Sequence, residues 1–200
     1  MYNLDMGEHL LSEESHQPRV VVGVTGSIAA HKAIDIVSQL VRRKCDVRVV
    51  MTADALRFVT EVPFRTLSRH LVVTDLFEST REWKPTHIAL ADWADTVVVA
   101  PATANTIAKV ALGLADNALT CLLLSLKPQT PVVFAPAMNG RMWMHEATVE
   151  NVRLLKERGV EFLEPEDGQL ACGYEGKGRL CEVETIVERV WELASHSMRG

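Results

Sequence analysis

Four short runs of β-branched and small apolar residues constrain this chain more than any other feature. They are Arg19–Thr25 (RVVVGVT), Asp46–Met51 (DVRVVM), Thr96–Ala100 (TVVVA) and Pro131–Ala135 (PVVFA). Apolar residues at consecutive positions mark strands buried on both faces, because a strand with one wet face would alternate. Three of the runs stop at a turn-former: Gly26-Ser27, Pro101 and Pro136. Between them the apolar spacing turns helical. From Ile28 to Arg43 it picks out Ile28, Ala33, Ile36, Val37, Leu40 and Val41. Further helices are predicted over Thr86–Asp95 (Thr86 as N-cap), Asn105–Leu112, Asn117–Leu126, His145–Arg158 (closing at Gly159) and Glu182–Ala194. Leu71–Thr74 and Val160–Leu163 are weaker strand candidates, and Pro165–Cys181, with four glycines, reads as loop. Strand–helix alternation of this kind predicts an α/β fold, a doubly wound parallel sheet with helices on both faces. In such sheets ligands sit beyond the carboxyl ends of the strands.

A length of 200 residues fits one domain, and 48% hydrophobic with 24% charged residues excludes collagen, coiled coil and wholesale disorder. Of the net charge of −5, residues 1–18 carry −4 through Asp5, Glu8, Glu13 and Glu14, leaving −1 for residues 19–200. A nearly neutral body without a basic stripe argues against nucleic acid as a partner. The start has no cationic, apolar signal pattern, and no run is long enough to span a membrane. Cys45, Cys121, Cys172 and Cys181 show no C-x-x-C spacing, so no metal site is expected, and a cytoplasmic protein with reduced thiols is. The expected organisation is a flexible acidic leader (1–18), one domain (19–195) and a short tail (196–200).

Three strand ends carry residues suited to chemistry. Thr25-Gly26-Ser27 lies between a strand and a helix, where amides and the two hydroxyls suit a phosphate; a plain helix cap is the competing reading. It is neither dinucleotide fingerprint nor P-loop, which favours a mononucleotide. Thr103-Ala-Asn105-Thr106 offers hydroxyls and an amide, or capping alone. In Pro136-Ala-Met-Asn139-Gly-Arg-Met142-Trp143, Asn139 needs a polar partner, while Met142 and Trp143 read as core. His87 taken alone reads as structural. Cys172, among glycines in a polar loop, is a candidate reactive thiol, whereas Cys121 is expected to be buried.

Together these segments resemble the homo-oligomeric flavin-containing cysteine decarboxylases, over about Val20 to Leu193. Pro136–Trp143 fits that family's P-x-M-N-x-x-M-W motif at every fixed position. His87-Ile-Ala-Leu-Ala-Asp-Trp-Ala-Asp95 looks like its catalytic-histidine segment, and Gly26–Ala30 with Thr103–Thr106 looks like its flavin contacts. At His31 relatives often carry tyrosine.

The resemblance implies a flavodoxin-like (Rossmann-like three-layer) fold, FMN as cofactor, and trimers or dodecamers with FMN where subunits meet. It implies FMN contacts at Gly26, Ser27, Ile28, Thr52, Thr103, Ala104, Asn105, Thr106, Ala137 and Met138. His87 would be the acid/base group and Asn139 the holder of the substrate carboxylate. The implied reaction oxidises a cysteinyl carbon to a thioaldehyde, which accepts the electrons left by CO2. Ala171-Cys172-Gly173 matches the loop of members that then reduce the enethiol, with Cys172 as proton donor. Their substrate is 4'-phosphopantothenoylcysteine and their product 4'-phosphopantetheine, on the way to coenzyme A; the synthetase that makes the substrate is a possible partner. Lantibiotic-type peptidyl-cysteine decarboxylases, flavin prenyltransferases and non-catalytic regulatory flavoproteins are the alternatives.

Overall fold

The computed structural model describes residues 17–77, 85–169 and 175–196. Five strands form one sheet: β1 (Arg19–Val24), β2 (Asp46–Met51), β3 (Thr96–Ala102), β4 (Val132–Pro136) and β5 (Glu161–Phe162). Their order is β2-β1-β3-β4-β5, with every pair parallel. This is the flavodoxin-like order, whose direction of winding reverses between β1 and β3.

The consecutive valines that looked uniform along the chain divide between two cores. Val20, Val22, Val24, Val98, Ala100, Val133 and Ala135 point to one side, against α1 (Lys32–Arg42), α2 (Val62–Ser68) and α8 (Val183–His196). Val21, Val97, Val99 and Phe134 point to the other, against α4 (Ala104–Leu112), α5 (Ala118–Leu124) and α7 (Glu146–Glu157). Successive side chains leave opposite faces of a strand, so both faces must be apolar when helices cover both. Each fully buried valine contributes about 1.5–3 kcal/mol relative to exposure.

Several elements differ from expectation. The helix predicted from Ile28 begins as a 3-10 turn, Ile28–His31, before α1. Pro101 does not stop β3, which continues to Ala102 through a register shift after Val99. Thr86 is not a cap but the first residue of α3 (Thr86–Trp93), following the extended Pro85. Leu71–Thr74 yields one bridge, Val73 to Val50. Pro165–Cys181 is no plain loop: β6 (Glu166–Gln169) and β7 (Glu175–Arg179) pair as an antiparallel hairpin. Helices α2 and α6 (Gly140–Trp143) were not predicted as separate elements. Gly159 does follow α7 at φ +90°, the left-handed conformation expected after a helix.

The leader, apart from Gln17 and Pro18, lies outside the described residues. The described chain is tied in from Pro18, whose carbonyl accepts from Asp46 N–H at 2.9 Å. At the other end α8 extends to His196, one residue into the expected tail. Among the described residues no helix is long and apolar enough to cross a membrane.

Candidate active site

Parallel strands deliver all their carboxyl ends to one edge of the sheet, and a cavity of about 940 Å³ lies there. Gly26 and Ser27 come from the loop after β1 and Ile28 from the turn that follows it, Thr52 from the loop after β2, Thr103 from the loop after β3 and Ala104–Thr106 from the first turn of α4. Ala137, Met138 and Asn139 follow β4, and all of these residues line the cavity. It therefore straddles the β1/β3 switch point, where an open α/β sheet splays its loops apart.

The loops are tied to one another through buried groups. Thr25, 1% exposed, donates its hydroxyl to Pro101 O at 2.6 Å and accepts Thr103 N–H at 3.1 Å. That hydroxyl, read from sequence as a phosphate ligand, is spent joining two loops and does not line the cavity. Ser27 Oγ lies 3.3 Å from both Ala29 N–H, which it caps, and Ala137 O, to which it donates. Ala137 N–H donates in turn to Ala102 O at 3.2 Å.

Gly26 is required by a neighbouring loop: a Cβ there would fall 2.5 Å from Asp54 Cβ and 3.1 Å from its carbonyl carbon. Thr103 N-caps α4, its hydroxyl accepting Thr106 N–H at 3.4 Å. The starts of α4 and of the Ile28–His31 turn thus both face the cavity, one end of which is rich in hydroxyls and amides. Ile28, Phe58, Met138 and Met142 supply apolar wall. Two polar helix starts beside an apolar slot fit a phosphate joined to a flat ring system, as in a flavin mononucleotide.

Asn139 caps α6, its Oδ1 accepting Arg141 N–H at 2.9 Å. An amide side chain carries N–H donors besides this acceptor, and a donor is the polarity that suits a carboxylate. Of the pair read as core, Trp143 is buried, but Met142 is half exposed and lines the cavity. A four-residue helix has too little length to bury both.

His87 is not among the residues lining the cavity. It lies in the first turn of α3, which packs against α5, and its Nδ1 is buried without a hydrogen-bond partner among the described residues. Cys172 lies outside the described residues. Cys121 is half-buried, not buried; its Sγ is 3.4 Å from Ala115 O.

Sequence reasoning missed Asp54, Phe58, Lys109, Asp116, Asn117 and Arg179, which also line the cavity. The rule that ligands sit past strand ends could have found the first two, since they follow Met51. Lys109 Nζ holds Asp116 at 2.6 and 2.9 Å, which keeps that carboxyl below its usual range. His31 lines the wall too, its Nδ1 2.8 Å from Ile28 O.

A family model described as Flavoprotein matches residues 8–195. The coenzyme A biosynthesis bifunctional protein CoaBC of Bacillus subtilis is 48% identical over 169 residues, 84% of this chain but 41% of that protein. The chain thus spans about two fifths of such relatives. A probable phosphopantothenoylcysteine decarboxylase of Streptococcus mutans is 38% identical over 174 residues, covering 87% of this chain and 97% of that protein. Among solved structures, a PPC decarboxylase mutant complexed with pantothenoylaminoethenethiol superimposes with a TM-score of 0.80 at 33% identity, covering 88% of this chain and 100% of that one. The FMN-dependent cysteine decarboxylase SpaF follows at 0.78 and 32%, covering 90% and 98%.

Proposed function

The chain belongs to the flavoprotein family, and from that premise we propose that it is an FMN-dependent decarboxylase of 4'-phosphopantothenoylcysteine, producing 4'-phosphopantetheine for coenzyme A. The observation that carries this reading is the placement of Asn139. Asn139 lines the same cavity as Ser27 and Thr103–Thr106, an amide beside two helix starts suited to a phosphate.

FMN, when bound, supplies a two-electron sink that the protein's own side chains lack and returns the electrons at the end. The chain's residues do the rest. Gly26, Ser27, Thr52 and Thr103–Thr106 hold the phosphate and ring edge, while Ile28, Ala137 and Met138 form the wall and limit water. Asn139 grips the substrate carboxylate without neutralising it, so CO2 can leave. His87 moves the proton. Cys172 donates a proton when the enethiol is reduced. The assembly is a trimer or a multiple of three, and His87, away from the cavity of its own chain, serves the cavity of a neighbouring subunit. The substrate's synthetase is the partner this reading favours.

The likeness to SpaF supports a second reading, a cysteine decarboxylase that stops at the enethiol. One experiment separates the two. Loaded with FMN and given 4'-phosphopantothenoylcysteine, the wild type is expected to release a saturated thiol lighter by CO2. Cys172→Ser is expected to release or retain an enethiol two hydrogens lighter still, at about one turnover per flavin. Mass spectrometry reads both. A saturated product from Cys172→Ser at the normal rate would remove Cys172 from the reaction, and an enethiol from the wild type would favour the second reading.

A further inference from the structure

We infer that Gly178 is a positioning residue for the loop that carries Asn139, joining it to the β6–β7 hairpin; this rests on the proposed role of Asn139. Met138 N–H donates to Gly178 O at 3.0 Å. A Cβ on Gly178 would fall 2.2 Å from Met138 O, 3.2 Å from Gly140 N and 3.4 Å from the carbonyl carbon of Asn139. All three obstacles are backbone, so no side chain can swing aside to admit a methyl group. The glycine is demanded by contact alone, unlike Gly176, whose φ of +155° strains any side chain.

The seat is itself held. Arg179, next in the chain, reaches Glu166 at 2.5 Å and Glu182 at 2.9 Å, and Glu182 N–H donates to Glu166 at 3.1 Å. Arg179 keeps the Glu166 carboxyl below its usual range, so the tie is ionised at neutral pH. Hairpin, Gly178, Met138 and Asn139 therefore form one continuous backbone path. Relieving a 2.2 Å approach requires the loop to retreat by about 1 Å, and a misplacement of that size costs about 10²-fold in a pre-organised site. The FMN contacts that follow β1, β2 and β3 are spared, and only the wall residues Ala137 and Met138 lie on the loop that moves.

Gly168 provides the control: it lies in the same hairpin, and its Cβ would meet only the Arg179 side chain at 3.6 Å, an ordinary contact. Holo Gly168→Ala is expected to match the wild type. Holo Gly178→Ala is expected to lose about 10²-fold in kcat/KM while FMN affinity, read by flavin fluorescence, changes only severalfold. The carboxylated substrate should weaken far more than the carboxylate-free product, a selectivity that general loosening would not cause. Should Gly178→Ala not fold, Glu166→Ala loosens the base of the hairpin instead. It is expected to raise KM severalfold with kcat nearly kept, and to speed hydrogen exchange at the Met138 amide. Wild-type KM and exchange in both variants, or equal weakening of both ligands, would overturn the inference. Absence of turnover in the wild type would count against the proposed function, while the Met138 exchange still reports the Gly178 contact.

Discussion

Thr25 and Ser27 show how two hydroxyl residues acquire different work two positions apart. The hydroxyl of Thr25 is buried between Pro101 and Thr103, while that of Ser27 caps the next turn and reaches Ala137. Both hydroxyls have their donor role filled inside the protein, and of the two residues only Ser27 lines the cavity. The cysteines divide in a similar way. Burial pushes the thiols of Cys45 and Cys181 up from 9.0 to about 11, whereas Cys121 is only partly enclosed. The neutral thiol is favoured in the fold, so the stability it contributes is fully present below pH 9. It is lost as pH rises towards 11, because the unfolded chain releases protons that the native state retains. Melting temperature is expected to fall across pH 9–11, by the equivalent of up to about 3 kcal/mol per thiol. Replacing both cysteines with alanine should flatten that segment of the curve. A slope unchanged in the double variant would refute this account.

At the scale of elements, the ends of strands and helices decide where the cavity forms. Helix α5 begins with a reciprocal cap: Asn117 Oδ1 accepts Thr120 N–H at 3.0 Å, and Thr120 Oγ1 accepts Asn117 N–H at 3.3 Å. Asn117 also lines the cavity, so the cap fixes part of its wall. Asn117→Ala is expected to cost about 1 kcal/mol, typical of a lost N-cap. For a chain of this size that lowers Tm by about 2–4 °C. Asn117→Ser, which keeps an N-cap acceptor without setting a second charge beside Asp116, should restore most of it in a thermal melt. Equal losses in both variants would mean that Asn117 acts by packing and not as a cap.

At the scale of the whole molecule, His87 and Asn139 pose one question. Asn139 lines the cavity, whereas His87, on α3, does not. A heterologous ring of three would bring α3 of one subunit to the cavity of the next. His87→Asn and Asn139→Ala are each expected to abolish turnover while keeping FMN. Unfolded together and refolded as mixed trimers, they should regain about a quarter of wild-type activity, since about one interface in four pairs an intact His87 with an intact Asn139. No recovery in mixed trimers that carry FMN would place both residues in one chain's site.

The strands were legible because their information is local. Consecutive valines at 20–22 and 97–99 can satisfy water only by burial on both faces, and helical spacing between them leaves a doubly wound sheet as the solution. Pro136-Ala-Met-Asn139 was legible for the same reason, a polar amide set immediately past an apolar strand. The tertiary structure alone decided what depended on partners distant in sequence. The β6–β7 hairpin forms from a glycine-rich stretch without strand-like alternation, and it gains contacts from the loop after β4 and from α6. Gly26 answers to Asp54, Thr25 to Pro101, and Gly178 to Met138, separations of 28, 76 and 40 residues along the chain. A residue's type limits which interactions it can make; packing in three dimensions chooses the atoms that take them. For that reason the sequence alone determined the sheet and the edge at which its ligand-binding loops gather, and folding determined which glycines and hydroxyls face the cavity and which hold its walls together.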